Sequence, residues 1–243
     1  ISIFKYINKK IILLTIIIIL LIISILGLTL FLNHKKEKEL NSKLEKCYYA
    51  VNKDYNYNEY KNILNTIETE EGKSKAYEKL NNALANQVDE LNKEYSVDKY
   101  HKLYDLMEEI SKDSNEKIQE ILKYNKKIYY YNDYIRMAKL HEDKGEFISA
   151  YTCYTSAIRE ISGIDEEKRQ DANNKRDAIK NKSCENLKDE INQRITTGDY
   201  TSFFPSNYET FVNNSDDEEL KNIFNQYTDT RKNIELEKEK EKK

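Results

Sequence analysis

The residues able to do acid–base, nucleophilic or metal chemistry are few and scattered. Histidines stand at 34, 101 and 141, and cysteines at 47, 153 and 184. A zinc site needs ligands a few residues apart, and a reactive thiol needs a base brought beside it. Neither set has such spacing. His141-Glu142-Asp143 is the one compact group of metal-ligand types, but it falls at the polar end of a helical pattern beside a glycine. Side chains in that position are ordinarily solvated. No phosphate cradle, dinucleotide fingerprint or nucleophile elbow is present. With 43 Asp+Glu in the chain, any catalytic pair picked from them would be arbitrary. The expectation is a protein that is not an enzyme and carries no cofactor or metal.

Tyrosine is the unusual component: 20 Tyr and 7 Phe against no Trp. The densest group is Tyr129-Tyr130-Tyr131 with Tyr134. Tyrosine suits both helix packing and peptide contact, and packing is the simpler reading. The charge balance, 40 Lys+Arg against 43 Asp+Glu, provides no basic footprint, so no nucleic-acid partner is expected. With 5 Gly and 1 Pro there is too little turn chemistry for a sandwich, barrel or doubly wound sheet. Helices must position whatever function the chain has.

The first element is decided by hydropathy. Ile11 to Leu32 carries no charge and is broken only by Thr15, Ser24, Gly27 and Thr29. Its helical length is about 33 Å, enough for a hydrocarbon core of roughly 30 Å. Every face is apolar, unlike a core helix of this length. The exit, Leu30-Phe31-Leu32-Asn33-His34, has neither small residues for cleavage nor a Cys for a lipid. The segment therefore reads as an uncleaved signal anchor. Lys5, Lys9 and Lys10 precede it, and His34, Lys35, Lys36 and Lys38 follow it. A short basic N-terminal tail is most simply held in the cytoplasm, which puts the C-terminal part outside.

Beyond the anchor the chain repeats. Leu40, Leu44, Tyr48, Val51, Asn52, Lys53, Asp54, Tyr55, Tyr60 and Ile63 align without a gap, at an offset of 40, with Leu80, Leu84, Val88, Leu91, Asn92, Lys93, Glu94, Tyr95, Tyr100 and Leu103. Apolar spacings of three and four on both sides of Asn-Lys-acid-Tyr describe two helices joined at a corner. An acid–aromatic corner recurs as Gly145-Glu146-Phe147 and Gly198-Asp199-Tyr200. Glycine there fits the left-handed residue that ends a helix. Asn115 to Asp143 and Asp165 to Thr196 read as long helices. Ser206…Glu209 and Ser215…Glu218 read as helix starts of the Ser-x-x-Glu type.

The third unit, Tyr134-x2-Met137-Ala138-x6-Gly145-x-Phe147-x2-Ala150-x3-Tyr154-x2-Ala157, resembles a tetratricopeptide repeat, most clearly over 131–158. Ala150 and Ala157 admit close helix approach while Tyr134, Phe147 and Tyr154 fill the gap. The other units depart from the pattern: Asn58, Asp98 and Phe203 stand where Ala150 does. The resemblance implies a concave surface lined by the first helix, here Asn132, Ile135, Lys139 and Glu142. These four do not reproduce the Lys/Asn clamp that some members use for a carboxylate.

The expected architecture is all-α, a single transmembrane helix followed by a tetratricopeptide-like array of helical hairpins. It divides into a basic tail (1–10), an anchor (11–32), a repeat domain (33–230) and a charged tail (231–243). The hairpins centre on 40–70, 76–112, 129–162 and 184–213. Packing is assigned to Tyr55, Tyr95, Tyr134, Ala138, Gly145, Phe147, Ala150, Tyr154, Ala157, Gly198 and Tyr200. The expected function is a membrane-anchored scaffold for protein–protein contact. Its partners would be the bilayer, an unidentified protein and, as a further candidate, a second copy of the chain. The alternatives are an extended coiled-coil-like spacer or oligomerisation rod at the membrane surface, and an enzyme whose site the sequence does not reveal.

Overall fold

The computed structural model describes residues 14–240 with their side chains, and residues 2–13 and 241 as backbone alone. Lys5, Lys9, Lys10 and the first apolar residues, Ile11 to Leu13, thus lie outside the described side chains, as do residues 241–243. The described residues are all helical, without strand: α1 (Ser2–Asn52), α2 (Tyr57–Asn65), α3 (Glu70–Lys93), α4 (Val97–Ile110), α5 (Glu116–Asp143), α6 (Phe147–Ile161), α7 (Glu166–Thr197), α8 (Ser206–Asn213) and α9 (Glu218–Glu241).

Local sequence explains most helix ends. Asn56, Thr69, Asn115, Asp165 and Asp217 each accept a hydrogen bond from a backbone N–H three residues on, satisfying a donor the helix cannot. Two expected starts are shifted. Ser206 is the first helical residue of α8, behind Pro205, and makes no capping bond. Ser215 caps nothing in α9 either: its hydroxyl accepts from Asp217 N–H at 3.1 Å, and Asp217 performs the capping. At the other ends, Gly145 (φ 75°) and Gly198 (φ 68°) are left-handed. Glu146 N–H bonds His141 C=O while Gly145 N–H bonds Glu142 C=O, and Asp199 and Gly198 repeat this with Arg194 and Ile195. Both are Schellman closures.

Two expected boundaries fall inside helices. α1 runs unbroken through position 32, because neither Gly nor Pro stands between Leu28 and Asn52. Residues 231–241 continue α9 rather than forming a separate tail.

The chain divides into two compact units, Ile1–Leu122 and Lys123–Lys243, with the boundary inside α5. In the first, α1 packs on α2 and α3, and α4 packs on α2 and α3. Its core comprises Leu44, Cys47 and Val51 of α1, Tyr57, Tyr60 and Leu64 of α2, Leu80, Leu84 and Val88 of α3, and Leu103, Leu106 and Met107 of α4. In the second, α6 packs on α7 and α8, and α9 packs on α7 and α8. The two units thus share a pattern, with the first helix of each foursome on the second and third, and the fourth on the second and third. Three buried clusters hold this unit: Tyr131, Ala157, Ile161 and Ala172; Ala138, Ala150, Tyr154 and Ile179; and a larger one from Ile148 through Leu187 and Phe211 to Tyr227.

Candidate functional site

α1 does two jobs along one axis. From Leu14 it is long and apolar enough to cross a membrane, and none of that stretch is buried in the protein. Its large side chains, such as Leu30 at 70% and Phe31 at 65% exposed, meet no core. Farther along the same helix, Leu44, Cys47, Ala50 and Val51 are buried in the first hairpin. Leu32 and Leu44 are separated by about 18 Å of helix. Short-range pairs brace that interval: Lys43 Nζ reaches Glu39 at 3.2 Å and donates to Thr66 C=O at 3.2 Å. The start of α3 closes against it so tightly that a Cβ on Gly72 would lie 2.6 Å from Ile67 Cγ2 and 3.1 Å from Leu40 Cδ1.

The top of α1 is held by polar groups. Gln87, buried on α3, donates from its amide to Asn52 C=O and accepts from the Tyr55 hydroxyl. Asn86 adds a bond to the Asn52 side chain at 2.9 Å. Tyr55 is the one non-glycine residue with positive φ, 51°, among the described residues. Such a conformation costs about 1–2 kcal/mol and persists only where its surroundings over-determine it. The aligned corner differs: Asn92, Lys93, Glu94 and Tyr95 are all exposed, and Glu94 is extended. Tyr95 lies tilted against Tyr100 at 6.1 Å.

A second polar knot ties α2 to the α4–α5 turn. Buried Asp113 accepts from Tyr57 Oη at 2.7 Å, Lys61 Nζ at 2.8 Å and Asn115 N–H at 2.8 Å. Burial alone would raise its pKa, but the bonds from Lys61, Tyr57 and Asn115 outweigh that and hold it below the ordinary carboxylate range. Tyr57 is pushed far up, by burial first and then by donating to Asp113. This is a charge satisfied on every side, as a structural knot requires.

In the second unit the residues assigned to packing divide. Ala138, Ala150, Tyr154 and Ala157 are buried, and Tyr134 packs half-buried against Tyr131 and Ala157. Phe147 is half-buried under Lys182 Nζ, 5.6 Å from its centroid. Tyr200 stacks on Tyr227 at 5.2 Å. The two corner glycines are exposed and serve through backbone conformation. The expected concave set does not form one open face. Ile135 packs against two of the buried clusters, Glu142 accepts the Tyr154 hydroxyl, and Asn132 is half-buried; of the four, Lys139 alone is exposed. His141 turns its Nδ1 to Glu146 across the corner, and the described residues contain no metal-ligand cluster.

Three features escaped the sequence reading. Gly72 carries a sequence signal, a lone glycine in the first turn of a helix, but its reason is tertiary. α4 has a second apolar face, Val97 (59% exposed), Tyr100 and Tyr104 (39%), at the same three-and-four spacing as its buried one. The third is the α7–α8 connection, where Tyr227 Oη lies 3.0 Å from Asp199 C=O and 3.2 Å from Ser202 C=O. Arg194 covers the Phe204 ring at 4.1 Å, and Arg231 covers the exposed Phe203 at 3.5 Å.

The chain matches no protein-family model, no curated protein and no solved structure.

Proposed function

We propose that the chain is a single-pass membrane protein whose helical hairpins, tetratricopeptide-like in their packing, serve as a scaffold for protein contact. One observation carries the reading: the apolar, unburied part of α1 and the buried first helix of the first hairpin are one unbroken helix. A rigid connection of that kind holds a folded surface at a set distance from the bilayer. The alternation of near and next-nearest helix contacts within each unit supports stacked hairpins, an arrangement that presents extended surface. The mechanism is geometric rather than catalytic. The N-terminal tail lies in the cytoplasm and the hairpins outside, with an unidentified protein as partner.

Protease treatment of sealed cells tests the topology: the hairpins are digested from outside while the N-terminal tail is protected. Digestion only after lysis reverses the orientation. Small-angle scattering of residues 33–243 tests the architecture. A compact curved particle supports stacked hairpins, and a long thin rod supports the spacer reading instead.

A further inference from the structure

Where α1 leaves the apolar stretch, its charges are layered. His34, Lys35, Lys36 and Lys38 follow Leu32, with Glu37 among them. The headgroup layer on each side of a bilayer is about 5–7 Å thick. At 1.5 Å per residue, positions 34–36 lie within it and Lys38 just above, close enough for its flexible stem to reach down. The helix is continuous, so these heights follow from the span itself.

The angular distribution is equally informative. At about 100° per residue, Leu40, Leu44, Cys47 and Val51 mark the side of α1 turned to the hairpin core. Glu37 projects on that side. Lys36 projects on its opposite flank at a similar angle, whereas His34, Lys35 and Lys38 project away from it. All four basic side chains are exposed. Lys35, Lys36 and Lys38 enter no ion pair among the described residues, nor do Lys46 and Lys53 farther along α1, whereas several lysines on the first hairpins do. Lys43 pairs with Glu39, Lys73 with Glu70 at 2.9 Å, Lys75 with Glu71 at 2.6 Å and Lys79 with Glu45 at 2.7 Å. The carboxylates thus sit above the headgroup layer or beneath the hairpins, and the unpaired lysines sit at or just above headgroup level, Lys35 and Lys38 on the open side and Lys36 on the hairpin side.

We propose that Lys35, Lys36 and Lys38, with His34, form a collar that selects anionic phospholipid around α1. The recognition is ammonium against headgroup phosphate and net lipid charge, worth a few-fold in local enrichment for each lysine at the surface. The inference rests on α1 spanning the bilayer, and the test keeps the two apart.

The full-length chain is reconstituted in phosphatidylcholine vesicles containing spin-labelled phosphatidylglycerol or spin-labelled phosphatidylcholine, and the motionally restricted fraction of each is measured. The expected result is a phosphatidylglycerol preference of about three- to five-fold, lost in the triple variant Lys35→Gln, Lys36→Gln, Lys38→Gln. The preference is retained in Lys73→Gln, Lys75→Gln. Equal preference in wild type and triple variant overturns the collar while leaving the span intact. Absence of a restricted fraction for either lipid, with release of the chain by alkaline carbonate, overturns the span and the collar together.

Discussion

The two units make the same kind of corner by different means. In the second unit, Gly145 and Gly198 take the left-handed conformation at no steric cost, and each closes its helix through backbone bonds alone. In the first, the left-handed residue is Tyr55, and side chains of a neighbouring helix hold it there through Gln87 and Asn52. A glycine corner is a local device and leaves the surrounding helices free to vary. A clamped tyrosine corner makes the first hairpin depend on α3, and so couples the helix that leaves the apolar span to the rest of its unit. The second unit invests instead in aromatic packing, with Phe204 touching Tyr208, Phe224 and Tyr227.

The strongest way to break this contrast is to interrupt α1. Asn41→Pro removes a helical hydrogen bond between the apolar stretch and Leu44, and is expected to cost the first unit about 3 kcal/mol or more. Amide exchange should then rise across α1 to α4 and stay unchanged in α6 to α9. A uniform rise would show that the units do not fold separately. Ala150→Leu comes next, on the other side of the comparison. It forces a branched side chain into the cluster of Ala138, Tyr154 and Ile179, with an expected loss of about 1–3 kcal/mol in a denaturant titration. A neutral result would count against tight packing of α5 on α6 and against the tetratricopeptide-like arrangement proposed above.

The corner contrast itself is sharpened by Gln87→Leu and Gly198→Ala. The first leaves Asn52 C=O and the Tyr55 hydroxyl without their partner and should cost about 1–3 kcal/mol. The second places a Cβ at φ 68° with open space around it, so only backbone strain of about 1–2 kcal/mol is expected. If Gly198→Ala is the costlier, the local device is the more demanding one. The smallest expected effect concerns pH. Asp113 has a folded-state pKa below its unfolded value near 3.9. Its contribution is therefore complete above about pH 4 and fades as the pH falls further. Asp113→Asn should lower the unfolding midpoint at neutral pH, and its gap from wild type should narrow in acid. A gap that is constant with pH would mean that the carboxylate's charge contributes nothing.

Much of this was legible from spacing and composition. Scarce Gly and Pro implied helices, unbroken apolarity implied a membrane-competent segment, and Asn115, Asp165 and the corner glycines announced helix ends through chemistry confined to a few residues. The partner face was not legible. Asn132, Ile135, Lys139 and Glu142 share a helix face, but Ile135 is taken up by packing and Glu142 by Tyr154. Nor is the continuity of α1 evident in the sequence: composition changes at position 33, yet composition can shift without interrupting a backbone hydrogen-bond ladder.

The sequence by itself determined the helical class, the apolar span and those ends capped by their own neighbours, because propensity, hydropathy and capping act over a few residues. Only tertiary structure decided what Asn-Lys-acid-Tyr becomes. At 52–55 it is a clamped left-handed corner, because α3 brings Gln87 to Asn52 and Tyr55. At 92–95 the same pattern is exposed throughout, with α3 running to Lys93 and ending in an extended Glu94. The difference lies thirty residues away along the chain, in which side chain arrives to satisfy a carbonyl.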